Sequence, residues 1–307
     1  MGTSLTEYSK LSNDVMMQGV IETIIKDCPL LQFLPWMEIV GNALTYNREL
    51  TLPSAEWHAV NDDWTTSPAV TFSQQTATLR ILGQNADVDN YVRQTRQNVQ
   101  DIESAIIELT AKAIRHELED KLIYGNNTTG PNQFDGLRLI INTLAASDQV
   151  IAAGASGATL TLTMLDQLID AVKGGKPDLL LMSRRSRRKI NALARAAGNN
   201  LEVGKGALGE FVQLYNGIPL SMSDFILDTH TVSSSVETLT TGSTSSTIYA
   251  VQFGEDGLCG LTGPGGLQIV PIGDMETKDA KRTRIKMYCS LALFSQKKAA
   301  ALIGVQD

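Results

Sequence analysis

The histidines are the first side chains to consider, because imidazole serves both as a general base and as a metal ligand. The chain has three of them, His58, His116 and His230. None has a second metal-ligating side chain at helical or turn spacing, and no Gly-x-Ser-x-Gly nucleophile elbow accompanies them. We therefore predict no catalytic residue and no metal site, which weighs against a hydrolase or transferase of mixed α/β fold.

Glycine-rich segments suggest a second kind of chemistry, the binding of phosphate by backbone amides. The sequence Gly-Pro-Gly-Gly at 263–266 lacks the Gly-Lys-Ser or Gly-Lys-Thr that would open a helix after a phosphate loop. Lys205 also lies between glycines, but no buried strand leads into it. Turns between strands explain these glycines, and we predict no cofactor.

One polar stretch, residues 53–68, contains two tryptophans, Trp57 and Trp64. Large aromatic side chains on a polar tip suit an interface better than solvent. The adjacent Asp62 and Asp63 could ligate calcium, but no oxygen-rich loop surrounds them, so a charge contact between subunits is favoured. Together with Phe72, these four residues are the predicted intersubunit contacts.

A basic run is the one feature that suggests nucleic-acid binding. On a helix, Arg184, Arg187 and Arg188 share one face, while Arg185 and Lys189 lie to another side. Two interpretations remain open, a solvated or salt-bridged surface and a DNA-facing patch. The net charge of −7 and the absence of aromatic residues from the run favour the first.

The tryptophans belong to a predicted β-hairpin. Residues 44–52 alternate between apolar and polar side chains, and residues 70–82 form the return limb. The apolar phase changes along this limb, which predicts a bulge or a break near Gln74. We take this point as a candidate hinge, at which proline would disturb assembly more than folding.

The clearest helix is predicted from about Val99 to Tyr124, with Asn98 as its cap and Gly125 as its stop. Its predicted main apolar stripe comprises Ile102, Ile106, Leu109 and Ala113. A second set widens the apolar face: Ile107, Ile114, Leu118 and Leu122.

The rest of the chain is predicted as compact mixed α/β structure followed by strands. Helices are expected at 163–173 and 183–197, with a buried strand at 178–182 between them. Asn216-Gly217 predicts a tight hairpin. Residues 229–247 contain many Ser and Thr, which predicts a mobile surface loop. Residues 283–294 predict a long final strand.

Composition limits the class of protein. A chain of 307 residues suffices for two domains, and its 43% hydrophobic and 19% charged residues are globular values. No apolar run is long enough for a membrane span, and no secretory signal is recognisable. The three scattered cysteines predict reduced thiols and folding in a cytoplasm. Residues 1–40 carry a helical apolar stripe that predicts an arm rather than a domain.

The sequence resembles the major capsid proteins of tailed bacteriophages, which share the Hong Kong 97 shell fold. The resemblance covers nearly the whole chain. It is most recognisable in four segments, FDGLRLI (134–140), PDLLLMSRRSRRKINAL (177–193), YNGIPLSMSDFI (215–226) and IYAVQFGEDGLCGL (248–261).

The resemblance implies an α+β fold of the Hong Kong 97 type. Residues 1–42 would form the N-terminal arm and residues 43–93 the extended β-hairpin loop. Residues 94–159 and 263–307 would form the peripheral domain with its long spine helix, and residues 160–262 the axial domain.

The resemblance also implies a non-enzymatic subunit that self-assembles, as hexamers and pentamers, into an icosahedral virion capsid in the cytoplasm of a bacterial host. The implied partners are many copies of itself, a portal, a decoration protein, and double-stranded DNA packaged without sequence specificity. An encapsulin-type nanocompartment shell protein is the nearest alternative, because it shares the fold.

Two departures from the family pattern lead to further expectations. The chain has no room for a scaffolding region before its arm, so we expect a separate scaffolding protein or earlier removal of that region. Some members crosslink through a lysine on the extended loop, but no lysine occurs between Leu44 and Arg93. We therefore expect no covalent crosslink from this loop.

Overall fold

A computed structural model describes residues 29–51, 53–64, 71–96, 102–144, 147–198, 201–205, 211–233, 236–239 and 244–307. The apolar stripe predicted before residue 28 and the predicted cap at Asn98 lie outside these ranges. The helices of the described part are α1 (Pro29–Phe33), α2 (Asn90–Arg96), α3 (Ile102–Tyr124), α4 (Leu137–Leu144), α5 (Leu162–Ala171) and α6 (Arg184–Ala196).

The first strands are β1 (Trp36–Glu38), β2 (Ala43–Thr51), β3 (Thr71–Thr78), β4 (Arg80–Asp89), β5 (Val150–Ala152), β6 (Ala158–Thr159), β7 (Leu179–Met182), β8 (Glu202–Lys205) and β9 (Phe211–Tyr215). The later strands are β10 (Ile218–Met222), β11 (Thr231–Ser233), β12 (Val236–Thr238), β13 (Ser246–Val251), β14 (Leu258–Thr262), β15 (Gln268–Asp274), β16 (Ala280–Leu293) and β17 (Ala299–Gln306). These elements confirm the predicted mixture of helix and strand.

A five-stranded sheet is built around β16, in the order β1-β14-β16-β15, with β4 also paired to β16. The antiparallel pairing of β4 with β16 runs from Asp89 opposite Ala280 to Arg80 opposite Cys289. Ile285 and Cys289 of β16 are buried, as predicted, but Ser290 is buried as well, because every residue of the strand from Cys289 to Leu293 is enclosed. Burial raises the pKa of the Cys289 thiol to about 12, so it remains a protonated core side chain.

Helix α3 packs on one face of this sheet, where Ile114 contacts Ile285. The buried residues of α3 include Ile114, Leu118 and Leu122, which we had predicted only as a widening of the apolar face. The predicted main stripe is wrong in part, because Leu109 is 54% exposed. Several faces of this helix carry aliphatic residues, so spacing alone could not select the buried one.

An eight-stranded sheet forms the second part of the fold, in the order β5-β17-β13-β7-β10-β9-β8, with β6 paired to β17. All four residues of β7 are buried, because this sheet is covered on both faces. Leu180 and Met182 pack in the cluster that includes α5 and α6, whereas Leu179 and Leu181 belong to the larger core cluster. The predicted hairpin at Asn216-Gly217 is confirmed, with φ of 52° and 78°.

The prediction of a mobile surface loop over residues 229–247 is wrong for the described residues. Strands β11 and β12 pair within this segment, and His230, Ser246 and Thr247 are fully buried. The buried hydroxyls have hydrogen-bond partners; Ser246 Oγ, for example, donates to the carbonyl oxygen of Leu227 at 3.1 Å. Short polar side chains can therefore line a core when every donor is satisfied.

Sheet membership departs from the predicted domain division at two strands. Strand β17 pairs with β13 in the eight-stranded sheet, although it was predicted to lie with the peripheral residues 263–307. Strand β14 pairs with β16 in the five-stranded sheet, although it was predicted within the axial residues 160–262. The chain crosses between the sheets more often than a division by sequence order suggests.

Candidate assembly interface

The hairpin of β2 and β3 is fixed to the body at its base. Arg48 Nε donates to the carbonyl oxygen of Phe294 at 2.9 Å, and its guanidinium also donates to that of Leu293. The Tyr46 hydroxyl donates to the same Leu293 oxygen at 3.0 Å, and its ring lies 4.9 Å from that of Phe294. Burial lowers the pKa of Arg48, although the contact with Tyr46 opposes this shift. The base is thus an integral part of the subunit.

Replacing Arg48 by alanine is expected to lower the free energy of unfolding by about 2–3 kcal/mol, because buried charge-assisted hydrogen bonds are lost. Thermal or urea denaturation of the unassembled subunit measures this effect. The control is Arg188→Ala, at an exposed arginine, for which we expect a change within about 0.5 kcal/mol. Equal effects of the two substitutions would show that Arg48 does not anchor the hairpin.

The return limb is regular at Gln74, where a bulge or a break is predicted. Gln74 pairs with Asn47 and Gln75 with Tyr46 in unbroken register, so the Gln74 prediction is wrong. The strand is interrupted instead at Leu79, between β3 and β4, where the Leu79 amide donates to the carbonyl oxygen of Asn42. If the hairpin bends relative to the sheet, Leu79 is therefore the expected hinge position.

The tip of the hairpin, residues 53–64, carries the two tryptophans that are predicted to contact a neighbouring subunit. Trp57 is 102% exposed and Trp64 is 82% exposed, relative to a free side chain. Val60 is similarly exposed, and the His58 ring lies 4.1 Å from the Trp64 ring. Such a concentration of uncovered apolar surface is a feature of interaction sites rather than of solvated loops.

The other predicted contact residues are also at the surface. Asp62 accepts a hydrogen bond from the Ala59 amide at 3.3 Å, and Asp63 is exposed beside it. Phe72 lies opposite Glu49 near the outer end of the hairpin and is 64% exposed. All five predicted residues thus lie on the part of the hairpin that projects from the body, and their contacts with a neighbour stay a prediction.

The basic run lies on α6, which begins after its cap Ser183. Arg184 forms an ion pair with Asp224, and Arg185 lies 3.7 Å from Asp228 and 3.5 Å from Asp307. Of the remaining members, Arg188 is exposed, whereas Arg187 and Lys189 are partly buried. The run is therefore divided between salt-bridged and solvent-facing positions.

A buried polar cluster was missed by the sequence analysis. His230 Nδ1 contacts a carboxylate oxygen of Glu237, and its Nε2 lies 3.0 Å from the Tyr124 hydroxyl. Arg138 Nε donates to the other Glu237 oxygen at 2.9 Å, and the Thr247 hydroxyl also donates to Glu237. The cluster joins α3 and α4 to β12 and to β13 of the eight-stranded sheet.

Electrostatics keep Glu237 ionised within this cluster. Burial raises the pKa of its carboxyl, but the hydrogen bonds and charges of His230, Thr247 and Arg138 outweigh burial, and the net pKa lies below its ordinary value. Burial raises the pKa of Tyr124. The side chains of His230 and Glu237 are fully enclosed, whereas Arg138 remains partly exposed. The members of the cluster are too far apart in sequence to form a recognisable motif.

Within the described ranges, no group of three or more His, Cys, Asp or Glu side chains could hold a metal ion. No helix among these residues is long and apolar enough to cross a membrane. The surface that remains to be explained is the exposed tip of an anchored hairpin. An anchored hairpin with an exposed apolar tip has the features of a protein interaction site.

Comparisons with known proteins identify the fold. The structure matches an encapsulin complex from Synechococcus elongatus with a TM-score of 0.70 and 18% identity, covering 100% of this chain and 97% of that one. It matches the capsid of an empty GTA particle with a TM-score of 0.67 and 13% identity, covering 99% and 95%. Mycobacterium phage Bobi gives a TM-score of 0.60 and 15% identity, covering 95% and 94%. The fold is therefore that of Hong Kong 97-like shells.

Sequence comparison identifies the family. Residues 12–167, just over half of the chain, match the family described as Major capsid protein GP7, and the chain belongs to that family. A comparison with curated protein sequences gave no match. The chain is a major capsid protein of a phage shell, which confirms the function that the resemblance implied.

Proposed function

We propose that copies of this chain assemble as hexamers and pentamers into an icosahedral shell, with each hairpin lying over a neighbouring subunit. The observation that carries this proposal is the contrast between the two ends of the hairpin. Its base is held by buried hydrogen bonds of Arg48, whereas Trp57 and Trp64 at its tip are uncovered. A rigid arm with an apolar end is suited to bury that end on a second subunit.

The predicted division into domains is retained as a proposal with two changes. The five-stranded sheet with α3 as spine helix would form the peripheral domain, now including β14. The eight-stranded sheet with α5 and α6 would form the axial domain, now including β17. Strand pairing supports these changes, because hydrogen-bonded strands move together as one unit.

The shell would enclose double-stranded DNA without reading its sequence, and the subunit would have no enzymatic activity. Its further partners would be a separate scaffolding protein, a portal and a decoration protein, with assembly taking place in the cytoplasm of the bacterial host. The solvent-facing members of the basic run, such as Arg188, are available for weak contacts with DNA phosphates.

Negative-stain electron microscopy with light scattering on the purified chain tests the proposed function. We expect closed shells or capsomer rings, either from the chain alone or on co-expression with its neighbouring genes. A protein that stays monomeric under both conditions would contradict the proposal.

The encapsulin match makes a nanocompartment shell the second candidate, because it covers the full chain. The contents of purified particles separate the two candidates. Double-stranded DNA in particles from the native source supports the phage shell, whereas a packaged protein without DNA supports the nanocompartment.

We also predict that the shell is held together without covalent crosslinks from the hairpin, because residues 44–93 contain no lysine. Boiled particles should migrate on a denaturing gel as a single band near the subunit mass of 33.2 kDa. A ladder of multiples of this mass would overturn the prediction.

A further inference from the structure

The turn between β9 and β10 contains Asn216 followed by Gly217, and an Asn-Gly pair occurs only once in the chain. The two residues join Tyr215 to Ile218, which pair across the hairpin. Both have left-handed backbone conformations, with φ of 52° for Asn216 and 78° for Gly217, and both are exposed. The turn is therefore a two-residue hairpin loop whose tip lies in solvent.

The side-chain amide of Asn216 lies next to a sterically open backbone amide. Glycine has no Cβ, and a Cβ built on Gly217 would meet no heavy atom within 4 Å beyond its chain neighbours. The amide nitrogen of Gly217 can therefore approach the side-chain carbon Cγ of Asn216. Attack at Cγ closes a five-membered ring, and this reaction is the ordinary route by which asparagine loses its amide.

Lys176 is held against the side chain that would react. Its Nζ donates to Oδ1 of Asn216 at 3.3 Å and to the backbone carbonyl oxygen of Asn216 at 3.1 Å. Lys176 lies in the loop before β7, and β7 and β10 are parallel neighbours in the eight-stranded sheet. The loop before β7 and the turn before β10 therefore meet at the same end of that sheet, so the contact is a product of the fold.

We propose that Asn216 is a site of self-modification, at which the Gly217 amide displaces the side-chain amide with the assistance of Lys176. In the first step a bond forms between the Gly217 nitrogen and Cγ, the bond from Cγ to Nδ2 breaks, and the amide proton leaves with Nδ2 as ammonia. In the second step water opens the succinimide ring. Addition of water at Cγ gives aspartate at position 216, whereas addition at the main-chain carbonyl carbon gives isoaspartate.

Lys176 acts on both steps of this reaction. Negative charge develops on Oδ1 during the attack, and the ammonium group that donates to this atom stabilises it. After hydrolysis at Cγ, the same ammonium group faces a carboxylate, with which it forms a charge-assisted hydrogen bond. The reaction is independent of the proposed function, because a subunit that never assembles would undergo it as well.

The fold also selects between the two products. Aspartate keeps the backbone length of the turn, and the pairing of Tyr215 with Ile218 depends on this length. Isoaspartate inserts one further carbon atom into the backbone, immediately before Ile218, which is buried. We therefore expect the folded chain to give a larger share of aspartate than the unfolded chain does.

Ageing of the purified full-length chain at mildly alkaline pH, followed by peptide mass spectrometry, tests the proposal. Asn61 is the internal control, because it is also exposed and has a left-handed φ of 68°, but the next residue is Asp62, whose side chain shields the amide. We expect Asn216 to lose its amide at least about tenfold faster than Asn61, because only Gly217 lacks a Cβ. Equal rates at the two positions would overturn the proposal.

The substitution Lys176→Met tests the role of the lysine. We expect the reaction in the folded chain to slow by about three- to tenfold, which is less than for a buried oxyanion donor because both groups are exposed. The matched control Lys173→Met removes an exposed lysine of the same loop that donates to the carbonyl oxygen of Asp170, and it should leave the rate unchanged. An unchanged rate in Lys176→Met would refute the assistance.

The same measurements in urea separate the effect of the fold from that of the local sequence. Lys176 and Asn216 are 40 residues apart, so Lys176→Met should have no effect on the rate in the unfolded chain. Fragmentation of the aged peptides distinguishes aspartate from isoaspartate. A lysine effect that persists in urea, or a product ratio that is the same in folded and unfolded chains, would contradict the proposed geometry.

Discussion

Subunits in which both Trp57 and Trp64 are replaced by alanine are expected to fold normally and to remain unassembled. Truncation of a buried interface tryptophan costs about 2–4 kcal/mol, which is a factor of about 30 to 1,000 in the association constant of each contact. Both side chains are almost fully exposed in the subunit, so their removal should leave its thermal unfolding unchanged. Particle yield and the melting temperature of the unassembled subunit provide the two measurements.

The matched control for this prediction is Val40→Ala. Val40 is 93% exposed and lies outside the hairpin tip, so it tests whether loss of any exposed apolar side chain affects assembly. We expect normal particles from this variant. Normal yield and heat stability of particles from the double tryptophan variant would remove the tip from the interface.

The largest expected effect on the subunit itself comes from Glu237→Ala. Removing one partner of a buried ion pair leaves the other charge uncompensated, and this costs about 3–5 kcal/mol. Here the stranded group is the guanidinium of Arg138, and His230 and Thr247 lose their acceptor as well. Urea denaturation measures the loss. The partly exposed pair of Glu108 and Lys112 supplies the control, because Glu108→Ala should cost no more than about 0.5 kcal/mol.

The contribution of Glu237 should also depend on pH. Its pKa in the folded subunit lies below the ordinary value of 4.5, because contacts with His230, Thr247 and Arg138 outweigh the effect of burial. A carboxyl with a lowered folded pKa stabilises the fold above the unfolded pKa, and this stabilisation is lost as pH falls through the folded pKa. The stability difference between the unmodified chain and Glu237→Gln should therefore be largest near neutral pH and should shrink below pH 4.5. A difference that grows on acidification would contradict the assignment.

Some segments could be predicted from the sequence because a local pattern of residues is compatible with only one backbone conformation. The continuous apolar run at β7, the alternation along β16 and the turn residues Asn216-Gly217 each fix a conformation without reference to distant residues. The exposed tryptophans of the tip were also found, because aromatic residues in a polar stretch are conspicuous. For these features, local sequence is sufficient.

The features that were missed depend on contacts between distant residues. The hydroxyl-rich segment around Thr247 is buried because His230, Glu237 and Leu227 satisfy its polar groups, and no local pattern shows this. The apparent phase change near Gln74 arises because Phe72 is an apolar residue on an exposed face, which alternation alone misassigns. The aliphatic residues of α3 likewise did not show which of its faces the sheet would cover.

Strands β4 and β16 pair although they are far apart in the sequence; Asp89, for example, is opposite Ala280. This separation affects how the chain folds while it is being synthesised on the ribosome. A bacterial chain grows at about 5–20 residues per second, so the tip emerges about 10–40 s before β16 does. During that interval β4 has no strand to pair with, and long-range pairing of this kind folds slowly. Each nascent chain thus exposes its apolar tip before its own five-stranded sheet can form.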